Sequence, residues 1–343
     1  MRRTDRLALA LAVAVVLAAR PVAAQDDPAE PAPTPTLPAA GPPTGGPMGG
    51  GPMGGGPPGY DATWYPNQAV DGQSADFGFV RQGLSVGAPV WRGDAGMVVA
   101  RVAVRNTLFF TDAVLPDSAR PFPDQLSAVT AGVTYLHRFD NGWSGGLMLG
   151  VGSASDRPFD SVDEVTANVG AFLRVPACDG RDAWQFGLLY MAGGAVNFPI
   201  PMAAYAWNPS DRFRVNIGLP FSVFWQPADD WTVDLSYVPL NNVNARVTYQ
   251  VAPAVRLYGA YEFLNESYLL AGRPDPEDRF FAFEQRLVAG LRWDVAPWAT
   301  AELNGGYSFG RSYGAGDSQW DSLSDRVDVA PGPFVGLNGR LRF

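Results

Sequence analysis

Residues able to do catalytic or metal chemistry are scarce in this 343-residue chain, which has one histidine, His137, and one cysteine, Cys178. A single cysteine makes no internal disulfide and no Cys-based metal site. His137 would serve as a general base only with a proton donor held within hydrogen-bond reach. It instead shares an alternating face with Val129, Val133 and Tyr135, close to the turn Asp140-Asn141-Gly142, so we read it as structural. Two aspartate groups, Asp112, Asp117 and Asp124, then Asp317, Asp321, Asp325 and Asp328, carry the oxygens that calcium prefers. Neither has the compact spacing of a calcium loop, and solvated loops account for both. No carboxylate pair stands at a spacing that suggests acid–base work. The sequence therefore assigns no enzyme site, no metal and no cofactor.

Arginine is the other chemical signal. All 25 basic residues are arginine, and many fall on the polar side of alternating stretches. On that parity lie Arg101, Arg105, Arg174, Arg212, Arg214, Arg246, Arg256, Arg286, Arg292, Arg340 and Arg342. The acids of the same parity are Glu164, Asp230, Asp234, Glu262, Glu284, Asp294 and Glu302. A basic inner face in an acidic chain (net charge −9) has two readings. A ring of guanidinium groups lowers the barrier for anions in a pore. The same residues could instead form ion pairs that fill the interior and brace its wall. The overall acidity argues against nucleic acid as a partner.

The elements that position these residues are strands. Apolar residues make up 47% of the chain and charged residues 17%, with mean hydropathy −0.04. No run beyond residue 25 approaches the roughly 18 apolar residues of a membrane helix. The apolar content is spread over period-two segments instead. Phe213, Val215, Ile217, Leu219, Phe221, Val223 and Trp225 share one face; Val243 to Val251 and Phe281 to Val295 repeat the pattern. Such alternation gives a strand with one apolar and one polar face.

Three segments follow. Residues 1–24 have Arg2, Arg3 and Arg6, an apolar core from Leu7 to Ala19, and small residues before Gln25, the features of a cleaved signal peptide. Residues 25–76 are dense in Pro and Gly and are expected to be a disordered linker. Residues 77–343 carry the strands. Turn chemistry divides them near 95–110, 126–139, 142–153, 162–176, 183–207 (bent around Pro199 and Pro201), 212–225, 230–239, 243–251, 254–264, 279–296, 298–311 and 332–343.

That division predicts an antiparallel barrel of about twelve strands, with a range of twelve to fourteen. If 95–110 runs outward, the long connections 111–125, 154–161, 265–278 and 312–331 all fall on one side and the tight turns on the other, as in outer-membrane barrels. The amphipathic stretch Phe77–Trp91 spoils this parity unless it inserts elsewhere or a further strand lies upstream in 60–70. Trp143, Trp184, Trp225, Trp231, Trp293 and Trp298 stand beside tight turns, as an interfacial girdle would, whereas Trp207 falls at the opposite end. The chain closes on Leu337, Gly339, Leu341 and Phe343, which resembles the insertion signal by which barrel-assembly machinery recognises a closing strand.

One motif set resembles a known family. Pro199-Ile200-Pro201, Trp207-Asn208-Pro209-Ser210-Asp211, Gly218-Leu219-Pro220, Trp225-Gln226-Pro227 and Trp231 look like the proline-marked central strands of an uncharacterised family of bacterial outer-membrane β-barrel domains. The resemblance implies a barrel in the outer membrane, with its lipid as partner, and no assigned activity. The leading expectation is a porin-like passive channel with a mildly anion-favouring lumen. A closed structural or adhesion barrel is the alternative, and an outer-membrane enzyme a third.

Overall fold

The computed structural model describes residues 58–177, 180–192, 198–238, 242–319 and 322–342. They form one antiparallel sheet with no α-helix among the described residues. Its strands are β1 (Gly59–Ala69), β2 (Asp76–Arg92), β3 (Gly96–Thr111), β4 (Gln125–Arg138), β5 (Ser144–Ser155), β6 (Val165–Ala177), β7 (Asp182–Ala192) and β8 (Ile200–Ser210). There follow β9 (Phe213–Gly218), β10 (Phe221–Ala228), β11 (Trp231–Val238), β12 (Asn242–Ala252), β13 (Val255–Tyr268), β14 (Arg279–Ala296), β15 (Ala299–Gly316), β16 (Ser324–Val329) and β17 (Gly332–Leu341). Each strand up to β16 pairs with its predecessor, and β17 pairs with β1 from Gly59↔Arg340 to Trp64↔Val335. β16 pairs with one half of β15 and β17 with the other, so those two lie end to end as one stave. The result is a closed ring of sixteen staves.

Sixteen corrects the expected twelve, and the four extra staves have particular causes. The supposed linker 25–76 is not one throughout: Gly59–Ala69 is β1, paired on both edges. Phe77–Trp91 belongs to the wall as most of β2. The bent strand 183–207 is two strands, β7 and β8. The run 212–225 is the hairpin β9–β10, turning at Leu219-Pro220. There Asn216 pairs with Ser222 and Val215 with Val223, so odd residues stay on one face across the turn. Alternation therefore runs unbroken through a chain reversal and cannot reveal it.

Short connections such as 93–95, 211–212, 253–254 and 297–298 lie at one end; the long ones 112–124, 156–164 and 269–278 lie at the other, together with the tight β9–β10 turn at 219–220. Trp207 changes sides in consequence: it lies near the β8–β9 turn, at the short-turn end, its ring 5.9 Å from Phe213. Trp143, Trp184, Trp225, Trp231, Trp293 and Trp298 are at this end too, all exposed on the outer face. Trp184 contacts Tyr205 at 4.9 Å and Trp231 contacts Tyr249 at 4.8 Å. Higher on the wall the outer face exposes Leu147, Leu149, Val151, Leu188, Leu287 and Leu303, while the buried charges lie inside. That is the inverse of a water-soluble sheet. Cys178, Phe343 and residues 1–57 lie outside the described residues.

Because β1 completes the hydrogen bonding of both β2 and β17, deleting Gly59–Ala69 should prevent refolding into a barrel. Loss of the heat-modifiable folded band on a denaturing gel is the expected outcome; a folded band of normal yield would contradict the seam.

Candidate functional site

Directly opposed residues of an antiparallel ladder project to the same face, so the register carries the interior face around the ring. Arg81↔Thr107↔Leu126 and Glu262↔Arg286↔Ser308 are two such rows. The structure places Arg101, Arg105, Arg174, Arg214, Arg246, Arg256, Glu262, Glu284, Arg286, Arg292, Glu302 and Arg340 on this face. Arg212 is not with them. It sits in the β8–β9 turn, half exposed and bonded to Asp229, because the strand read as beginning at residue 212 begins at Phe213. His137 pairs in register with Gly96 on the outer face. There its Nδ1 lies 2.9 Å from the Tyr135 hydroxyl and its ring 4.6 Å from Phe139.

The interior is not uniform. The arc from β12 through β15, β17 and β1 to β3 is packed with paired charge. Glu266 takes Arg105 and Arg81 (3.5 Å), Arg81 also reaches Glu284 at 3.2 Å, and Ser308 donates to Glu284 at 2.7 Å. Arg286 binds Glu262 and donates to the Tyr65 hydroxyl at 3.0 Å. Nearer the short-turn end, Glu302 accepts from Arg292 (2.9 Å) and Tyr258 (2.6 Å) and lies 3.7 Å from Arg246, whose guanidinium stacks 4.0 Å from the Tyr258 ring centre. Asp294 is shared by Arg256 (2.7 Å) and Arg342 (3.5 Å). Charges this deeply buried hold only as a mutually satisfied set, since removing one partner strands the other.

Toward the long-loop end the same arc turns aromatic. Tyr65, Phe77, Phe79, Phe109, Tyr313 and Phe334 pack inside the ring with Phe122 from the 112–124 loop. Phe77 lies 4.9 Å from Phe122 and 5.2 Å from Tyr313. Arg311, 2% exposed, donates to the Ala330 carbonyl at 2.8 Å and stacks on Tyr65 and Phe79. The loop is pinned from two sides. Gln73 and Val114 exchange bonds of 2.8 and 2.9 Å, and Asp325 accepts from the amides of Asp117 and Ser118 at 2.9 and 2.7 Å. Asp117 and Asp325, expected only as solvated loop acids, thus hold the loop inward.

A strap then crosses the mouth. Loop 269–278 leaves β13 and bonds to the far wall: Leu269 N to Ala154 O at 2.7 Å, Ala271 N to Asp156 at 2.7 Å, Arg273 to Asp163 O at 2.8 Å. β5 and β13 are halfway round the ring from each other, so this contact divides the long-loop end into two lobes. One lobe holds the aromatic packing. Asp278, at the end of the strap, has its pKa held above the ordinary carboxylate value by partial burial and by the neighbouring Asp317 carboxyl.

The other lobe, from β5 to β11, differs in kind. Its interior positions include Gly150, Gly170, Gly187, Ala204, Asn216, Ser222 and Ser236, with Arg174 and Arg214 toward the short-turn end. Neither arginine has a carboxylate within ion-pair distance among the described residues. Arg214 stacks 4.5 Å over Phe224, and the Arg174 Nε is buried without a hydrogen-bond partner. Sequence reading missed Arg81 and Glu266 because the first lay in a stretch left out of the wall and the second in a supposed loop. The parity of Arg81 with Phe77 and Phe79 was the available signal.

Residues 116–330 match the family model described as Domain of unknown function (DUF6268). The chain belongs to that family. The match leaves out β1 to β3 and β17, so the DUF6268 portion by itself contains neither strand of the closing seam nor Arg81, Arg105 and Arg340. No curated protein matches the sequence. Among solved structures, an outer membrane channel from Pseudomonas putida F1 is 10% identical, covering 83% of this chain and 96% of its own, with a TM-score of 0.34. A FadL homologue from Pseudomonas aeruginosa is 12% identical over 83% and 90%, with a TM-score of 0.33. The β domain of the Bordetella autotransporter BrkA is 13% identical over 84% and 99%, with a TM-score of 0.29. At such scores the likeness says nothing about function.

Glu284→Gln leaves Arg81 facing a neutral amide in a buried site. It should cost about 3–5 kcal/mol of folding free energy, read from urea unfolding in lipid vesicles. Arg212→Gln, which breaks an exposed pair, should shift the same curve by less than about 1 kcal/mol.

Proposed function

We propose that the protein spans the bacterial outer membrane as a passive channel for small solutes, with its path confined to the lobe between β5 and β11 and a preference for anions. The observation that carries this reading is the division of the interior. One arc is filled with aromatic rings and largely paired charge. The other carries glycine, alanine and short polar residues beside half-buried Met148, Phe172, Leu189, Ile200 and Met202, with Arg174 and Arg214 beyond ion-pair distance of any carboxylate among the described residues. Sixteen staves support it as well, because barrels of 16 to 18 strands are too wide for wall side chains to fill. Lipid would cover the apolar outer face, with the tryptophan girdle at the periplasmic interface. In this reading residues 1–24 direct export and are removed, and the closing strand with Phe343 is what the barrel-assembly machinery recognises. N-terminal sequencing of protein taken from outer membranes should then begin at Gln25.

The decisive experiment is conductance of the full chain, refolded and inserted in a planar bilayer under a salt gradient. Steady conductance with anion preference is expected. Arg174→Gln with Arg214→Gln should reduce that preference severalfold, whereas Arg256→Gln, whose charge Asp294 already offsets, should alter it little. Equal effects from both would sink the assignment of the path. A second reading, a closed structural or adhesion barrel, draws support from the strap and the pinned 112–124 loop. It predicts silence from demonstrably folded protein.

A further inference from the structure

The lobe assigned above as the path has an internal pattern of its own. Register aligns its interior residues in rows across β5 to β8. Met148, Gly170, Leu189 and Ile200 form one row. The next row toward the short turns holds Gly146, Phe172, Gly187 and Met202. On the long-loop side Met191 stands opposite Asn168. All of these large apolar side chains point inward, yet each is only half-buried, so they face accessible space rather than a packed core.

They also lie flat. A Cβ at Gly187 would come within 2.8 Å of the Met202 methyl, and one at Gly146 within 2.7 Å of the Phe172 ring. Glycine beside Met202 and Phe172 lets these two rest against the wall instead of projecting across the passage. The strip is therefore smooth, apolar and open. Rows on one face are about 6.6 Å apart along a strand, so three rows extend roughly 13 Å. The row immediately beyond, toward the short turns, contains Arg174 beside Gln185, and Arg214 lies further in the same direction on β9. Across the lobe, β10 to β12 present Ser222, Phe224, Asp234, Ser236 and Asn244, with Asp234 two strands from Arg214 in the same row.

A passage for water and small ions gains nothing from apolar surface, which costs about 25 cal/mol for each Å² left wet. The arrangement suits a solute that covers the strip with an apolar body while a guanidinium holds its head. Guanidinium selects oxyanions, with two donors matched to a carboxylate. We propose that the lobe binds and conducts amphipathic anions: molecules with an acyl-length apolar body and one carboxylate head, the head against Arg174, with Arg214 the next cation toward the short turns, and the body along Met148, Leu189, Ile200 and Met202. This rests on the lobe being the solute path.

The test uses the full chain in planar bilayers carrying a potassium chloride current, with decanoate, acetate and decyltrimethylammonium as probes. Decanoate should reduce the current at concentrations at least about tenfold below either of the others. Leu189→Asn with Met202→Asn should weaken that block about tenfold, a loss of about 1.4 kcal/mol. Arg174→Gln with Arg214→Gln should weaken it similarly. Equal block by decanoate and decyltrimethylammonium, or an unchanged block in the Leu189/Met202 variant, would overturn the proposal and leave the channel standing. If the protein carries no current, radiolabelled decanoate binding to it in nanodiscs separates the two ideas. Saturable binding lost in both variants keeps the site without the channel, and no saturable binding removes both.

Discussion

Lipid offers no hydrogen bonds, so each backbone amide and carbonyl of a membrane sheet must find its partner within the sheet. The pairing of β1 with β17 is where that condition is met for the whole ring, since without it two edges lie open. Closure by antiparallel neighbours also requires an even number of staves when both ends of the chain emerge on one side. Pro58 and Leu341 do meet there, through a backbone bond of 2.8 Å. The side chains are distributed accordingly: the outer face of the wall is mostly apolar, and the buried charges lie inside.

Charge confined to the interior has to be neutralised there or left to act. Along β12 to β3 it is neutralised in chains, Arg105 to Glu266 to Arg81 to Glu284, so that each carboxylate serves more than one donor. Aromatic rings continue the filling toward the loops. On the facing arc the wall alternates glycine and alanine with half-buried apolar side chains, and Arg174 and Arg214 are left without such chains. A wide barrel thus gains rigidity from one half of its circumference while the other half keeps room.

Much of this was legible in residue order, and what failed did so for identifiable reasons. Alternation revealed strands and, at most positions, which face looks inward, because parity is a local property. It did not count strands. In β9–β10 the two sides of the hairpin keep the same parity through Leu219-Pro220, so only the Gly218-Leu219-Pro220 chemistry marks the reversal. The undercounts came in pairs, β1 with β2 and two unresolved hairpins, and each pair restores the direction of the chain. The inside–outside test therefore succeeded with four staves missing, and Trp207 was placed at the wrong end by one of them. Gly59–Ala69 follows directly on dense proline and glycine, and only the parity left over by Phe77–Trp91 pointed to a strand in 60–70, where β1 lies. Loops that fold inward, such as 112–124 with Phe122, left no periodic trace at all, since their burial depends on partners far away in sequence.

The strap from β13 to β5 bears on how the molecule assembles. Its Leu269–Ala154 bond joins staves on opposite sides of the ring, and neither partner is near the other until the intervening wall has curled. Contacts of such sequence separation form late, after the shorter closures that make them affordable in entropy. The strap is thus the structure's own record of a closed wall: a chain that has paired its hairpins but not yet curled its wall holds the two anchor points apart. A reporter pair placed on them would distinguish a finished barrel from an open, curved sheet.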